Sequence, residues 1–276
     1  MGDRSIDAFA ASVDRPSSAR VYDYLLGGTH HYAIDREFAD QQLATVPDMR
    51  EALRSNRAFV GRAVRCALGR GVRQFVDIGA GLPSQGQAHQ VADETDPEAR
   101  ARVVYVDNEE IAHAHASILL ADEADPERHK AVCADFFDRD LLWEQVLATG
   151  VIDQAEPVCL LVTALLHFVP DEREPGKVLA FYRDQLAAGS LLVLSHGCDE
   201  LDDEDVRRVA GNYARTSSPA VLRDRDGIAG FFDGWELLDP GLTWTVEWRP
   251  DGTETEWWEG VPARARCLAG VAVKPA

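Results

Sequence analysis

The sequence predicts an α/β fold, with a mostly parallel sheet, helices on both faces and a helical cap at the N-terminus. From residue 73 onward, short apolar runs alternate with helical segments, an order that produces parallel strands joined by right-handed crossovers. The run at 157–163 is almost continuously apolar, which is typical of a strand covered on both faces. We therefore divide the chain into a cap of residues 1–72 and an α/β domain of residues 73–276, with a helical insert near 202–223.

The cap is predicted to contain three helices, over 18–26, 35–45 and 48–69. The first follows Ser17 or Ser18, which are good N-cap residues, and ends at Gly27. The third begins with the spacing of a capping box, Asp48 followed by Glu51. It also carries a set of arginines that we expect on a solvated face: Arg50, Arg54, Arg57, Arg62 and Arg65.

The α/β domain is predicted to alternate regularly between strands and helices. The first strands are 74–78, 103–107, 131–134, 157–163 and 190–195. Helices follow them at 83–94, from an Asn108 cap to 121, at 141–149 and at 177–188. Beyond residue 200 we expect helices at 202–215 and 225–232. The final strands are expected from 235–238 with 243–248, and from 265–273.

The most informative stretch follows the first strand, where Asp77-x-Gly79-x-Gly81 breaks the apolar run. A strand, a glycine turn and a helix place backbone N–H donors against polar groups of a ligand. The turn fails the dinucleotide pattern because Ser84 stands at the third glycine position. Phosphate-binding turns also avoid an acid such as Asp77, which suits a cationic ligand. The turn therefore favours S-adenosyl-L-methionine, which carries a sulfonium and an amino group.

Three acids stand at the ends of the first three predicted strands: Asp77, Asp107 and Asp135. Ligands of open parallel sheets bind at the carboxyl ends of the strands. We therefore expect these acids to meet the glycine turn in one crevice. Asp107 lies 28 residues after Gly79, where its two carboxylate oxygens can each accept a hydrogen bond from one ribose hydroxyl.

Four segments stand out together: ARVYDYLLGG at 19–28, NRAF at 56–59, DIGAGLP at 77–83 and VYVDN at 104–108. They resemble the bacterial S-adenosyl methyltransferase family, long treated as a domain of unknown function. The likeness covers residues from about 5 to 274. It implies the class I, Rossmann-like methyltransferase fold with a seven-stranded sheet, and S-adenosyl-L-methionine as the cofactor.

The resemblance also implies a set of cofactor-binding residues at the ends of four strands: Asp77, Gly79, Ala80, Gly81, Asp107, Asn108, Asp135, Phe136 and Thr163. The glycine turn would lie beside the amino-acid half of the cofactor. Asp107 would hold the ribose, with Asn108 alongside. Asp135 would meet the adenine amino group, and Phe136 would pack against the adenine ring.

Methyl transfer from a sulfonium is an in-line displacement that depends on alignment and desolvation. A base is needed only if the nucleophile must lose a proton. Many class I enzymes carry an acid after the fourth strand, whereas this segment offers Thr163 and His167. The candidates for catalysis are His167, His30 or His31, and Tyr22. Each has a plainer interpretation, with His167 as a packing residue, His30 in a polar loop and Tyr22 in helix packing.

Composition excludes several classes of function. A net charge of −19 repels phosphate backbones, so we expect no nucleic-acid partner. No apolar run reaches the roughly 18 residues that a membrane helix needs, and the N-terminus lacks the apolar core of a signal peptide. His113 and His115 diverge on a predicted helix, so we expect no metal site.

The five cysteines are odd in number and include no CxxC pair. Those at 133, 159 and 267 lie in apolar runs. We therefore expect buried, reduced thiols and a cytoplasmic protein.

These observations lead to a methyltransferase that acts on a small-molecule acceptor. The alternative is a cofactor-binding sensor or partner module without transfer activity, which the missing acid after the fourth strand favours. A nicotinamide-dependent oxidoreductase is disfavoured by Ser84 and Asp77. The identity of the acceptor and the oligomeric state are open at this stage.

Overall fold

The computed structural model describes residues 14–82, 86–200, 203–216, 218–252, 258 and 260–276. Within these ranges the α-helices are α1 (Ser18–Leu26), α2 (Ala33–Thr45), α3 (Met49–Gly69), α4 (Ala88–Thr95), α5 (Glu110–Glu123), α6 (Arg139–Ala148), α7 (Pro175–Gln185), α8 (Glu204–Asn212) and α9 (Arg225–Ala229). The strands are β1 (Gln74–Ile78), β2 (Arg102–Asp107), β3 (His129–Cys133), β4 (Val158–Thr163), β5 (Leu191–Gly197), β6 (Glu236–Leu237), β7 (Thr243–Trp244) and β8 (Cys267–Val273).

The strands form one mostly parallel sheet with the order β3-β2-β1-β4-β5-β8-β6. The pairs among β1 to β5 are parallel, whereas β8 runs antiparallel to β5. The short strands β6 and β7 pair with successive parts of the outer edge of β8. The sheet of the described residues therefore counts eight strands but has seven positions across. The predicted α/β class and parallel sheet are confirmed.

Helices cover both faces of the sheet. On one face α3, α4 and α5 pack against a layer that includes Phe75 and Val103, both at 0% exposure. On the other face α6, α7 and α9 pack against a layer that includes Val76 and Val104, also at 0% exposure. Successive residues of a strand point to opposite faces. Burial of both faces therefore explains why the central strands are apolar at every position.

The N-terminal helices lie where the sequence predicts them. Ser17 caps α1, since its hydroxyl oxygen accepts a hydrogen bond from the Arg20 amide at 3.4 Å. The predicted capping box at Asp48 does not form, because this carboxylate instead pairs with Arg266 at 3.1 Å. α3 packs into the core of the sheet, whereas α1 and α2 form a small cluster of their own. The boundary at residue 72 stays a prediction.

Two secondary-structure predictions were wrong in detail. The strand predicted at 243–248 is limited to β7 and is followed by a 3₁₀ turn at Thr245–Glu247. This turn brings Thr245 onto α3, where its hydroxyl lies 2.7 Å from that of Ser55. The helix predicted at 83–94 begins only at Ala88, and part of its predicted start, 83–85, lies outside the described residues.

Two burial predictions were also wrong. Arg62 is not on a solvated face but is 4% exposed, and its guanidinium donates to the carbonyl oxygens of Trp248 and Thr245 at 2.9 and 2.6 Å. Cys133 is exposed, because it ends the edge strand β3. Cys159 is buried as expected, Cys267 is half-buried, and all five cysteines, which lie within the described ranges, are free.

The insert, observed as α8 and a 3₁₀ turn at Tyr213–Arg215, packs against the cap. The Asn212 amide donates to the side-chain oxygen of Gln42 at 2.9 Å. The Tyr213 ring lies 5.2 Å from the Phe38 ring and 5.6 Å from the Phe168 ring, centroid to centroid. Because Phe168 follows β4, the insert and the cap meet above the carboxyl edge of the sheet.

Candidate functional site

The glycine turn after β1 is built around two residues with positive φ, Gly79 at 74° and Gly81 at 66°. A Cβ on Gly79 would lie 2.7 Å from Leu165 Cδ1, and one on Gly81 would lie 3.8 Å from Ala19 Cβ. The amides of Gly79 and Ala80 both donate to the Val106 carbonyl, at 2.8 and 3.1 Å. Glycine is therefore required for backbone conformation at both positions and for space at Gly79. The turn is held against β2 and lies beneath α1.

Asp107, the last residue of β2, is fixed to this turn. One carboxylate oxygen accepts a hydrogen bond from the Gly81 amide at 2.8 Å, and the other accepts one from the Glu109 amide at 2.9 Å. Burial raises the pKa of Asp107, while these backbone N–H donors lower it. Each carboxylate oxygen has a second lone pair, so the group can still accept hydroxyl donors from a ligand.

Glu109 connects this corner of the site to the cap. Its carboxylate accepts hydrogen bonds from the Ser17 hydroxyl at 2.6 Å and from Arg20 Nη1 at 2.9 Å. Arg20 is 1% exposed and also binds Asp35 at 2.7 Å. This ion-pair network fixes α1 and α2 over the end of β2.

The ends of β2 and β3 are joined by side chains. The Asn108 amide donates to Asp135 at 3.4 Å. Asp135 also accepts the Phe137 amide at 2.8 Å, which fixes the turn after β3. Phe136 is 5% exposed, and its ring lies 5.7 Å from that of Tyr182. The structure therefore places Phe136 in the core, and the neighbouring Phe137 is the less buried of the two rings.

Asp77 and Arg57 form a second charged corner, on the α3 side of the turn. Asp77 is 6% exposed, and its carboxylate has no hydrogen-bond partner among the described residues. Burial raises the pKa of Asp77 to about 6; Arg57 opposes this shift and Asp107 adds to it. The Arg57 Nε is buried and has no hydrogen-bond partner within the described ranges. Neither charged group therefore has a hydrogen-bonded partner among the described residues.

The segment after β4 closes the third side of the crevice. Ala164, directly after Thr163, has φ at 51°, a conformation that strains a residue with a Cβ. The Ala164 amide is held by the carbonyl and hydroxyl oxygens of Ser195 at 3.1 and 3.0 Å. This turn places Leu165 against Gly79.

His167 lies in this segment with its Nδ1 accepting a hydrogen bond from the Gly197 amide at 3.3 Å. The proton of the neutral ring is therefore on Nε2. Burial, with smaller contributions from His196 and Arg223, lowers the pKa of His167 to about 3. A neutral ring with Nδ1 occupied is a hydrogen-bond donor rather than a general base.

Arg223, at the end of the insert, holds the same segment in place. Its Nη1 donates to the Leu166 carbonyl at 2.9 Å and to His196 Nε2 at 2.7 Å. Its Nη2 donates to the Val169 carbonyl at 2.7 Å and to Asp171, also at 2.7 Å. Its Nε also donates to Asp171, at 3.0 Å. Five hydrogen bonds from a side chain that is only 8% exposed show that Arg223 holds the turn after β4 in place.

The remaining catalytic candidates lie on other elements. The Tyr22 hydroxyl accepts a hydrogen bond from the Asn56 amide at 3.2 Å, on the Arg57 side of the turn. His30 packs against His115 of α5, with ring centroids 4.8 Å apart. Within the described structure, no hydrogen bond or ring contact joins Tyr22, His30 or His167 to another of the three.

Sequence reasoning placed the strand-end acids correctly but missed the groups that fix them. Glu109 and Arg223 gave no motif signal, and Arg20, although it belongs to the segment at 19–28, gave no sign of its role because its partner Glu109 is distant in the chain. Arg57 did give a signal, because it belongs to the NRAF segment at 56–59, but the arginine-rich helix suggested a solvated face.

The chemistry of the site fits a cationic nucleoside cofactor. The glycine turn leaves room for a close backbone approach, Asp77 is an unsatisfied carboxylate, and Asp107 retains acceptor capacity. Among the described residues, no group of three or more His, Cys, Asp or Glu is arranged to hold a metal ion. No helix within the described ranges combines the length and apolar character needed to cross a membrane.

Comparison with known proteins agrees with this chemistry. The chain is 34% identical to a DUF574 family protein from Streptomyces avermitilis, over 96% of this chain and 99% of that one, with a TM-score of 0.87. It is 30% identical to a Thermobifida fusca protein crystallised as a candidate methyltransferase, over 97% and 98% of the two chains, with a TM-score of 0.87.

A more remote similarity concerns the fold alone. The S-adenosylmethionine-dependent methyltransferase SibL, in its apo form, shares 14% identity over 98% of this chain and 68% of its own, with a TM-score of 0.53. No curated protein matches the chain. The S-adenosyl methyltransferase family model matches residues 4–275. The chain therefore belongs to the S-adenosyl methyltransferase family, has the class I fold and uses S-adenosyl-L-methionine as its cofactor.

Proposed function

We propose that this protein transfers the methyl group of S-adenosyl-L-methionine to a small-molecule acceptor by in-line displacement. The observation that carries the proposal is the position of the cap directly above the glycine turn, where a Cβ on Gly81 would lie 3.8 Å from Ala19 Cβ. Because helix α1 of the cap lies so close to the turn, we favour an acceptor small enough to fit into an enclosed crevice. The net charge of −19 also disfavours a nucleic-acid acceptor.

The proposed cofactor contacts follow the strand ends. The two carboxylate oxygens of Asp107 would accept the ribose hydroxyls, and Asn108 lies alongside them. Asp135, which Asn108 already contacts at 3.4 Å, would accept the adenine amino group. Gly79, Ala80 and Gly81 would lie beside the amino-acid half, and Thr163 would border the site from β4. Phe137 is a better candidate than Phe136 for contact with adenine, because Phe136 is 5% exposed.

The bound cofactor supplies an electrophilic methyl group on a sulfonium. The cap, the insert and Leu165 would align the acceptor and exclude water, which accounts for most of the catalysis expected of an in-line displacement. His167 supports a positioning role, since its Nε2–H can donate a hydrogen bond to an acceptor oxygen or nitrogen. Tyr22 and His30 remain candidates for the acceptor pocket, and His30 is the more remote because it packs on α5.

The second candidate function is a cofactor-binding sensor without transfer activity. It is favoured by two observations: the segment after β4 carries no acid, and burial lowers the pKa of His167 to about 3. An acceptor that must lose a proton would therefore find no base in that segment. An acceptor with a free amine or a thiolate would not need one.

Two experiments test these proposals in turn. Calorimetric titration with S-adenosyl-L-methionine, S-adenosyl-L-homocysteine and NAD should give binding of the first two only. The protein is then incubated with methyl-labelled cofactor and a bacterial extract separated by size. Label is expected in a small-molecule product that differs from the cofactor and forms only when the protein is added, whereas label in protein or nucleic acid that depends on the added protein contradicts the small-molecule acceptor. Cofactor binding with no transferred label in any fraction favours the sensor.

A further inference from the structure

Arg57 is a cation without a hydrogen-bonded partner in the part of the chain that the structure describes. It lies on α3 with its Cζ 5.7 Å from the centroid of the Tyr22 ring. Its stem borders the segment that leads into α4, since a Cβ on Gly86 would lie 3.7 Å from Arg57 Cγ and Cδ. The Nε is buried, and neither it nor the terminal nitrogens donate a hydrogen bond. A buried guanidinium N–H without an acceptor is costly, which points to a missing ligand.

Asp77 presents the opposite charge at the same corner. Its side chain is 6% exposed, it accepts no hydrogen bond within the described structure, and Arg57 acts on it electrostatically. An arginine and a carboxylate normally satisfy each other by a bidentate ion pair. Here they are close enough to interact through space but form no ion pair. The protein therefore holds two opposite charges at one corner of the site without pairing them.

A separated cation and anion match a zwitterion. An α-amino acid carries a carboxylate and an ammonium group on one carbon, so it can bind Arg57 with one and Asp77 with the other. We propose that Arg57 binds the carboxylate of the cofactor's methionine moiety while Asp77 binds its ammonium group. Helix α3 of the cap would thereby take part in recognising the amino-acid end of the cofactor. This inference rests on the proposed cofactor site and adds to it a specific residue outside the α/β domain.

Other occupants fit less well. A phosphate or another pure anion would satisfy Arg57 but would be repelled by Asp77 and Asp107, which lie at the same turn. A simple cation would satisfy Asp77 but would be repelled by Arg57. The Tyr22 ring provides some cation–π contact at 5.7 Å but supplies no acceptor in the plane of the guanidinium.

The test compares ligands that differ in one charged group. S-adenosyl-L-homocysteine, its analogue lacking the carboxylate and its analogue lacking the amino group are titrated into the wild type, Arg57→Gln and Asp77→Asn. Arg57→Gln should weaken S-adenosyl-L-homocysteine by about 10- to 100-fold, the range expected for charged hydrogen bonds. It should leave the analogue without a carboxylate within about twofold of wild type. Asp77→Asn should show the reverse pattern, being sensitive only to ligands with the amino group.

Arg54→Gln is the matched control, because Arg54 lies on the same helix, is 61% exposed and only approaches Glu51 at 3.7 Å. Thermal melting of each variant checks that the fold is kept. Equal losses for all three ligands in Arg57→Gln would overturn the inference, since they would indicate a structural role. Unchanged affinity for S-adenosyl-L-homocysteine would overturn it as well. In both cases, if the wild type still binds S-adenosyl-L-homocysteine, the proposed cofactor site is retained and only the role of Arg57 is rejected. If the wild type binds none of the ligands, the proposed cofactor site is rejected as well.

Discussion

The Gly81 amide donates a hydrogen bond of 2.8 Å to the Oδ2 of Asp107, so the glycine turn and the end of β2 form one unit. Replacement of Asp107 by Ala removes the proposed ribose acceptor and releases this amide. We expect cofactor affinity to fall by about 1–3 kcal/mol, or roughly 5- to 150-fold in Kd, as for the loss of hydrogen bonds to a charged group. Calorimetric titration with S-adenosyl-L-homocysteine measures the change.

Glu98→Ala is a suitable control for this variant, because Glu98 is an exposed acid in the 3₁₀ turn Pro97–Ala99, which precedes β2 and lies at the opposite edge of the sheet. It should bind as the wild type does. An Asp107→Ala protein with wild-type affinity would show that the ribose is held elsewhere.

Gly79→Ala is expected to damage both stability and binding. The residue has φ at 74°, which costs an L-amino acid about 1–2 kcal/mol. The new Cβ would also lie 2.7 Å from Leu165 Cδ1. Thermal melting should show a lower Tm, and titration should show weaker cofactor binding.

The double variant Gly79→Ala/Leu165→Ala separates the two causes. It relieves the contact with Leu165 but keeps the backbone strain, so only part of the lost affinity should return. Gly176→Ala is the control, since Gly176 lies in α7 with no heavy atom within 4 Å of a new Cβ and no positive φ. A Gly79→Ala protein indistinguishable from the wild type would refute the close approach at this turn.

The elements around this turn were predictable because their signals are local. Apolar runs of the right length, glycine breaks and an acid after each of the first strands are visible without knowledge of the fold. The convergence of Asp77, Asp107 and Gly81 then follows from the rule that ligands bind at the carboxyl ends of parallel strands. The observed helix boundaries differ from the predicted ones by a few residues where the capping residue differs. At α5, for example, the N-cap residue is Glu109 instead of Asn108.

The parts that could not be predicted depend on contacts between distant segments. Arg20 and Glu109 are separated by 89 positions, and Arg62 and Trp248 by 186. Arginine is usually exposed, so nothing in the sequence indicates that Arg62 is buried and donates hydrogen bonds to two backbone carbonyls. Phe136 illustrates the same limit, because which of two adjacent aromatics faces the core is decided by the turn that Asp135 forms.

Cofactor binding should depend on the protonation of Asp77. Burial raises the pKa of this carboxyl to about 6 in the ligand-free protein. The groups that face it are Arg57 from α3, Asp107 and Tyr105 from β2, and Cys159 from β4. An ammonium group binds the ionised form, so affinity should rise as pH increases through 6 and level off above it. Below that pH it should fall by up to about tenfold per pH unit.

Titration with S-adenosyl-L-homocysteine at pH 5, 6, 7 and 8 tests this dependence. Near pH 6 the wild type should release protons on binding, which is measured by repeating the titration in buffers of different ionisation enthalpy. Asp77→Asn should bind more weakly and with little pH dependence between 5 and 7. Proton release that persists unchanged in Asp77→Asn would assign the dependence to another group, with Asp107 the first to examine, since burial raises its pKa as well.

His129 should make the fold sensitive to acid. Its side chain is 0% exposed, neither ring nitrogen has a hydrogen-bond partner among the residues that the structure describes, and burial lowers its pKa to about 4. The groups around it are His89, Arg128, Asp93 and Asp125. Between the ordinary pKa of 6.5 and the folded value, the unfolded chain binds more protons than the folded one. Stability is therefore full above about pH 6.5 and is lost as pH falls toward 4.

His129→Leu removes both unpartnered nitrogens and the titration together. We expect the variant to be as stable as the wild type at pH 7, or more stable by up to about 2 kcal/mol, because buried unsatisfied groups are costly. Chemical unfolding at pH 7, 6 and 5 should show a smaller loss for the variant than for the wild type. Part of the loss should remain, since burial also lowers the pKa of His89, His167 and His196. If the variant and the wild type lose stability in parallel, His129 is not the source of the acid sensitivity.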